Sequence, residues 1–110
     1  MKKLFANYNF DFEKNEKKLI TTFCKQALKQ LDSNQNFGEV KAFNSILEKL
    51  STNTDSVKLT KDEKIRLTNN LKQNIDYIKK QMDRSWFLKK WLMKSLYNQY
   101  TNLYEKHFKG

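Results

Sequence analysis

Few residues in this sequence could carry chemistry. His107 is the only histidine and Cys24 the only cysteine, so a zinc site, which typically needs four N or S ligands, cannot be assembled from them. A nucleophile and base pair would have to use His107, in a segment where fraying is expected. Cys24 falls on the apolar stripe of a helix, where a thiol packs as a small hydrophobe. The best-placed carboxylates have structural work: Thr60-Lys61-Asp62-Glu63 reads as a capping box, Glu39 stands three residues after Asn36, and Asp11 precedes a helix. Gly38 and Gly110 are the only glycines, which leaves no phosphate-cradling loop. The expectation is a protein that binds without catalysing, with no cofactor and no metal.

What remains is a surface. From Arg84 to Tyr104 there is no acidic residue, while Arg84, Lys89, Lys90 and Lys94 are cationic. Seven of the chain's 15 aromatics, including both tryptophans, lie in residues 84–110. On a helix, Leu88, Leu92, Leu96, Tyr100 and Leu103 share one broad face, read as core, with Trp86, Tyr97, Tyr104 and Phe108 flanking it. Phe87 and Trp91 are four residues apart and so are neighbours, on the opposite side beside Lys90, Lys94 and Asn98. Arg84, Phe87, Lys90, Trp91, Lys94 and Asn98 are therefore the candidate binding residues. The bland counterpart is that another helix or the N-terminal arm covers the rings.

Three partners suit such a surface. Nucleic acid would meet lysine on its phosphates and aromatic rings on its bases. A protein would take the aromatic pair as anchor. An anionic membrane face would take Trp and Phe at headgroup depth with lysine beside them. Only Arg66 and Arg84 among 22 basic residues are arginine, which argues against guanine reading in a major groove and for backbone contacts of weak sequence specificity.

Four elements must position these residues. An apolar repeat through Leu19, Ile20, Phe23, Cys24, Ala27, Leu28 and Leu31 predicts a helix over 12–31 capped by Asp11. Phe43, Ile46, Leu47 and Leu50 predict a second over 38–50, with Asn36 as N-cap and Glu39 as its capping partner. The capping box opens a third over 61–83, carried by Leu67, Leu71, Ile75, Ile78 and Met82, and a fourth follows over 86–108. Asp83 or Ser85 could cap that last helix, and a break or bend is expected there, although the stripe also runs in phase through a single helix from 61 to 108. The class is all-α, an antiparallel bundle of three to four helices in one domain, 1–110, with residues 1–10 as an arm. Tyr8, Phe10 and Phe12 alternate with polar residues, as do Val57 and Leu59. The arm could pair with 56–60 as a ribbon, fold onto the bundle, or serve a partner. The Leu67, Leu71, Ile78 and Met82 stripe could also form a homodimer seam. No internal repeat is apparent.

A chain of 110 residues without proline and almost without glycine suits helices rather than turn-rich sheets. One cysteine and no apolar stretch approaching ~20 residues point to the cytoplasm; the Met1–Ala6 start is not followed by an apolar region. The net charge of +10 favours phosphate-bearing partners, although 12 asparagines beside many lysines also fit an AT-rich coding sequence. In gross character the chain is similar to small basic regulatory proteins of phages and plasmids, and to the bacteriocin immunity proteins, helical bundles acting near the inner membrane face. No motif carries either resemblance, so neither supplies sites.

Overall fold

The computed structural model describes residues 7–31, 34–52 and 56–109. The leader-like start at 1–6 and parts of both expected linkers, 32–33 and 53–55, lie outside the described residues. The all-α class holds: four helices and one two-stranded ribbon are present among the described residues. They divide into two compact units, Met1–Leu67 and Thr68–Gly110, with the third helix running from one into the other.

The first unit is built on β1 (Asn7–Phe10), α1 (Lys14–Gln30), α2 (Phe37–Ser51) and β2 (Val57–Thr60). Of the three arrangements open for the arm, the ribbon forms. β1 runs antiparallel to β2, pairing Asn7 with Thr60, Tyr8 with Leu59, Asn9 with Lys58 and Phe10 with Val57. Alternation puts Phe10 and Phe12 on one face, where both are buried and their rings stack 5.1 Å apart. Tyr8 lies on the same face but is exposed, and the Lys64 ammonium stands 4.4 Å from its ring centre.

This ribbon moves the start of α1. The expected cap at Asp11 is not formed: Phe12 precedes the helix, its ring buried and stacked on Phe10. The N-cap is Glu13, whose N–H donates to Glu16 Oε1 at 2.7 Å to close a capping box. Ile20, Phe23 and Cys24 follow as the buried face of α1. Phe23 meets Phe43 of α2 edge to face at 6.4 Å, a geometry worth about 0.5–1.5 kcal/mol beyond the area buried. Ala42, Ile46 and Leu50 complete the buried stripe of α2.

Asn36 occupies the N-cap of α2 without a side-chain cap bond, and Glu39 turns away from the expected capping role to Arg66 Nη1, 2.5 Å away. Arg66 also holds Asp62 at 3.0 Å. The guanidinium lies so close to the start of α2 that a Cβ on Gly38 would fall 2.9 Å from Arg66 Nη2. α3 (Lys61–Arg84) opens as anticipated. Thr60 N–H donates to Glu63 Oε1 at 2.9 Å, and Glu63 N–H donates to Thr60 Oγ1 at 3.1 Å.

Burial brings out an internal repeat that the residue identities hide. Phe10, Phe12, Glu16, Ile20 and Cys24 stand 47 positions before Val57, Leu59, Glu63, Leu67 and Leu71, and all ten are buried. Each copy is a strand, an acidic capping box and a helix. Phe10 pairs across the ribbon with its own counterpart, Val57, so the ribbon has a local two-fold between them. Of the stripe read as a possible homodimer seam, Leu67, Leu71 and Ile78 are buried in the folded chain and Met82 is half-buried.

In the second unit α3 ends at Arg84 and α4 (Phe87–Leu103) begins two residues later, so the two helices are separate. Ser85 Oγ donates to the Gln81 carbonyl at 2.6 Å and Ser85 N–H to Met82 O at 3.2 Å. Its hydroxyl therefore finishes α3 instead of capping α4. Ser85 Oγ also lies 3.7 Å from Met93 Sδ, and the Lys72 ammonium sits 5.9 Å from the Tyr104 ring centre. These contacts fold α4 back along the later part of α3. The expected helix to residue 108 changes type, with Tyr104–Phe108 forming a π-helical turn. Lys109 N–H donates to Tyr104 O at 2.9 Å, and Phe108 is buried.

Candidate functional site

The first half of α4 is positioned by its second half. Tyr100 and Leu103 are buried and fix which side of the helix faces inward. Phe87 opens the helix with Trp86 as N-cap, and Lys90 N–H donates to Trp86 O at 2.9 Å. No side-chain cap is made there. An apolar N-cap residue gives nothing to the free backbone donors, so helix stability does not account for tryptophan at this position.

Of the six nominated residues, all are exposed. Phe87 keeps 74% of its surface accessible and Trp91 71%. The ring that meets Phe87 is not Trp91 but Trp86, edge to face at 6.1 Å. Trp86, placed by the sequence at the flank of the leucine face, is 67% accessible.

The larger correction concerns the leucines. Leu88, Leu92 and Leu96 were expected in the core with Tyr100 and Leu103, yet they are exposed at 53%, 61% and 43%. A helical projection fixes angles between side chains but not how far along the helix the covering layer extends. Here the described cover reaches Tyr100 and Leu103 and leaves the preceding turns open. With about 100° per residue, Phe87, Trp91, Leu88, Leu92 and Leu96 fan across about half the helix circumference. Lys90 and Lys94 border the Phe87 edge of that arc and Lys89 borders the Leu96 edge. Trp91, Leu92, Lys94, Ser95 and Asn98 line an open hollow on this surface.

The electrostatics are one-sided. Among the described residues none of Arg84, Lys89, Lys90 and Lys94 has an ion-pair partner. The second unit holds nine of the 22 basic residues and three of the 12 acidic ones, a surplus of six positive charges within the total of +10. In the first unit, by contrast, Lys49 and Arg66 are paired with Glu63 and with Glu39 and Asp62.

Reactive groups are placed elsewhere and differently. Cys24 is fully buried, and burial pushes its thiol up to about 12, which suppresses the nucleophilic thiolate. Burial alone would raise the Glu63 carboxyl, but hydrogen bonds from Lys49, Ser45 and the Thr60 N–H hold it below its usual range. His107 is half-buried beside Phe108, ring centres 6.4 Å apart. Among the described residues no group of three or more His, Cys, Asp or Glu could hold a metal ion.

Periodicity carries no signal for the exposure of Leu88, Leu92 and Leu96, because it groups side chains by angle and does not say how far along the helix the cover extends. No helix of the described residues is long and apolar enough to cross a membrane. Compared with protein-family profiles, with curated proteins and with solved structures, the chain finds no match.

Proposed function

We propose that this chain is a non-enzymatic binding protein of the cytoplasm that engages an anionic partner through the first half of α4, with occupancy rather than chemistry as its regulatory output. One observation supports this reading: six large apolar side chains between Trp86 and Leu96 are exposed among cations that have no ion-pair partner among the described residues. A fully exposed aromatic presents roughly 150–250 Å², so at these exposures the three rings alone offer about 400 Å². That is the scale of the largest apolar patch on an ordinary monomer, which is often functional. Unneutralised lysine beside it selects a partner of negative charge.

A second reading, nucleic acid, has its own support. Trp86, Phe87 and Trp91 present ring faces on which bases can stack, and Lys89, Lys90 and Lys94 could each neutralise a phosphate. Arg66 is held by Glu39 and Asp62, so Arg84 alone is left for bidentate base recognition, and contacts would follow the backbone. The leucines weigh against it, since they neither stack nor pair with phosphate.

The test is salt elution from heparin of two triple variants that remove equal charge: Lys89→Gln, Lys90→Gln, Lys94→Gln in α4, and Lys25→Gln, Lys29→Gln, Lys41→Gln in the first unit. The α4 triple should elute at clearly lower salt than the control triple. Equal elution would remove α4 as the working surface. Gel shifts with single- and double-stranded DNA and RNA across salt then decide the nucleic-acid reading; no shift at low salt ends it.

A further inference from the structure

We infer that the α4 surface seats on an anionic lipid bilayer, with the helix lying in the headgroup layer and not spanning it. This rests on α4 being the working surface and names what it works on. The order of residues around the helix is the first ground. Phe87, Trp91, Leu88, Leu92 and Leu96 make one continuous arc, and lysine stands on both of its borders. A helix parallel to a bilayer needs that order, because its apolar arc enters the acyl boundary while cations on either side reach phosphate.

Charge complementarity is the second ground. The stretch from Arg84 to Tyr104 has no carboxylate, so nothing in it repels an anionic headgroup, and the surplus of six charges in this unit adds a long-range pull. A second copy of the chain is a poor occupant. A two-fold contact through this arc would set Lys89, Lys90 and Lys94 of one copy near the same residues of the other, with no acid to separate them. Nucleic acid uses the rings and lysines but leaves Leu88, Leu92 and Leu96 in water. Lipid uses all of them.

Length and ring type are the third. Trp86 to Leu96 covers about 15 Å of helix, half a hydrocarbon thickness, and no helix of the described residues could cross a membrane. Tryptophan favours the interface, where its apolar ring and its N–H are both accommodated. Trp91 places one such ring on the arc, and Trp86, the N-cap residue, places a second at the start of the helix.

Sedimentation of the full chain with vesicles of phosphatidylglycerol and phosphatidylcholine, against phosphatidylcholine alone, tests the assignment. The protein should pellet with the anionic vesicles, with a blue shift of tryptophan emission, and should stay in solution with the neutral ones. The Lys89→Gln, Lys90→Gln, Lys94→Gln variant should partition roughly a hundredfold more weakly. Leu88→Gln, Leu92→Gln, Leu96→Gln should lose the blue shift and the binding that persists at high salt, while circular dichroism confirms that each variant keeps its helices. Retention on heparin or a gel shift without vesicle binding would overturn the lipid assignment and leave α4 as a nucleic-acid or protein surface. Loss of every interaction, with the two lysine triples equal on heparin, would overturn both. Vesicle binding unchanged by either α4 variant would also overturn it.

Discussion

Replacing Glu63 with alanine removes a hub that ties α2 to the junction of β2 and α3. The carboxylate accepts from Lys49 Nζ at 2.5 Å, from Ser45 Oγ and from Thr60 N–H at 2.9 Å, and its side chain is 8% accessible. Hydrogen bonds to a buried charge are worth about 1.5–3 kcal/mol each in single deletions but do not add. Lys49 is 33% accessible, so its ammonium recovers water and the ion pair itself counts for little. Ser45 and Thr60 lose a partner in a partly buried place, and loss of the cap adds about 1 kcal/mol. The sum is a destabilisation of about 3 kcal/mol for Glu63→Ala. Glu63→Gln keeps an acceptor for Thr60 and should lose about 1–2 kcal/mol. Urea unfolding followed by circular dichroism reads both from the midpoint at constant slope. The carboxyl is held below its ordinary range in the folded state, so its contribution is complete above the usual glutamate pKa of about 4.3. That contribution fades as pH falls through the lower folded value. The gap between wild type and Glu63→Gln should therefore close in acid. A loss under about 1 kcal/mol for Glu63→Ala, or a gap that widens in acid, would refute the hub.

Two further predictions separate buried from open positions. Leu88→Gln, Leu92→Gln and Leu96→Gln should each change stability by no more than about 0.5 kcal/mol, whereas Leu103→Ala, at 1% accessibility, should cost about 2–5 kcal/mol; the same urea titration checks the contrast, and a comparable loss in both sets would contradict it. Cys24 should resist a thiol reagent at pH 8 in the native protein and react on the timescale of unfolding, because burial raises its thiol to about 12; prompt native-state labelling would show the thiol to be open.

Much of the fold was legible because three local signals agreed. The one-three-one apolar spacing marks α1, Thr60 and Glu63 mark the start of α3, and the polar run at Asp83, Arg84 and Ser85 marks the break before α4. The start of α1 is not legible because Asp11 is a better capping residue by type than Glu13, and only the folded chain shows the Phe12 ring buried against Phe10 ahead of the helix. The internal repeat is hidden in the sequence because its copies share burial and capping while most residue identities differ: Ile20 matches Leu67 and Cys24 matches Leu71. At the candidate site, the exposure of Phe87 and Trp91 could be anticipated from their place on the side of the helix away from Tyr100 and Leu103. That of Leu88, Leu92 and Leu96 could not, because periodicity states which side chains lie together and tertiary cover decides which of them are shielded.

Both tryptophans of the chain lie in the open part of α4, so quenching of their fluorescence reports on the central claim alone. The native protein should emit near the wavelength of its unfolded form, and acrylamide should quench it at close to the unfolded rate. Iodide should quench more efficiently than caesium at equal ionic strength, since the surrounding surplus of positive charge attracts the anion and repels the cation. Blue-shifted native emission with slow quenching by all three agents would place Trp86 and Trp91 inside the fold and contradict the account.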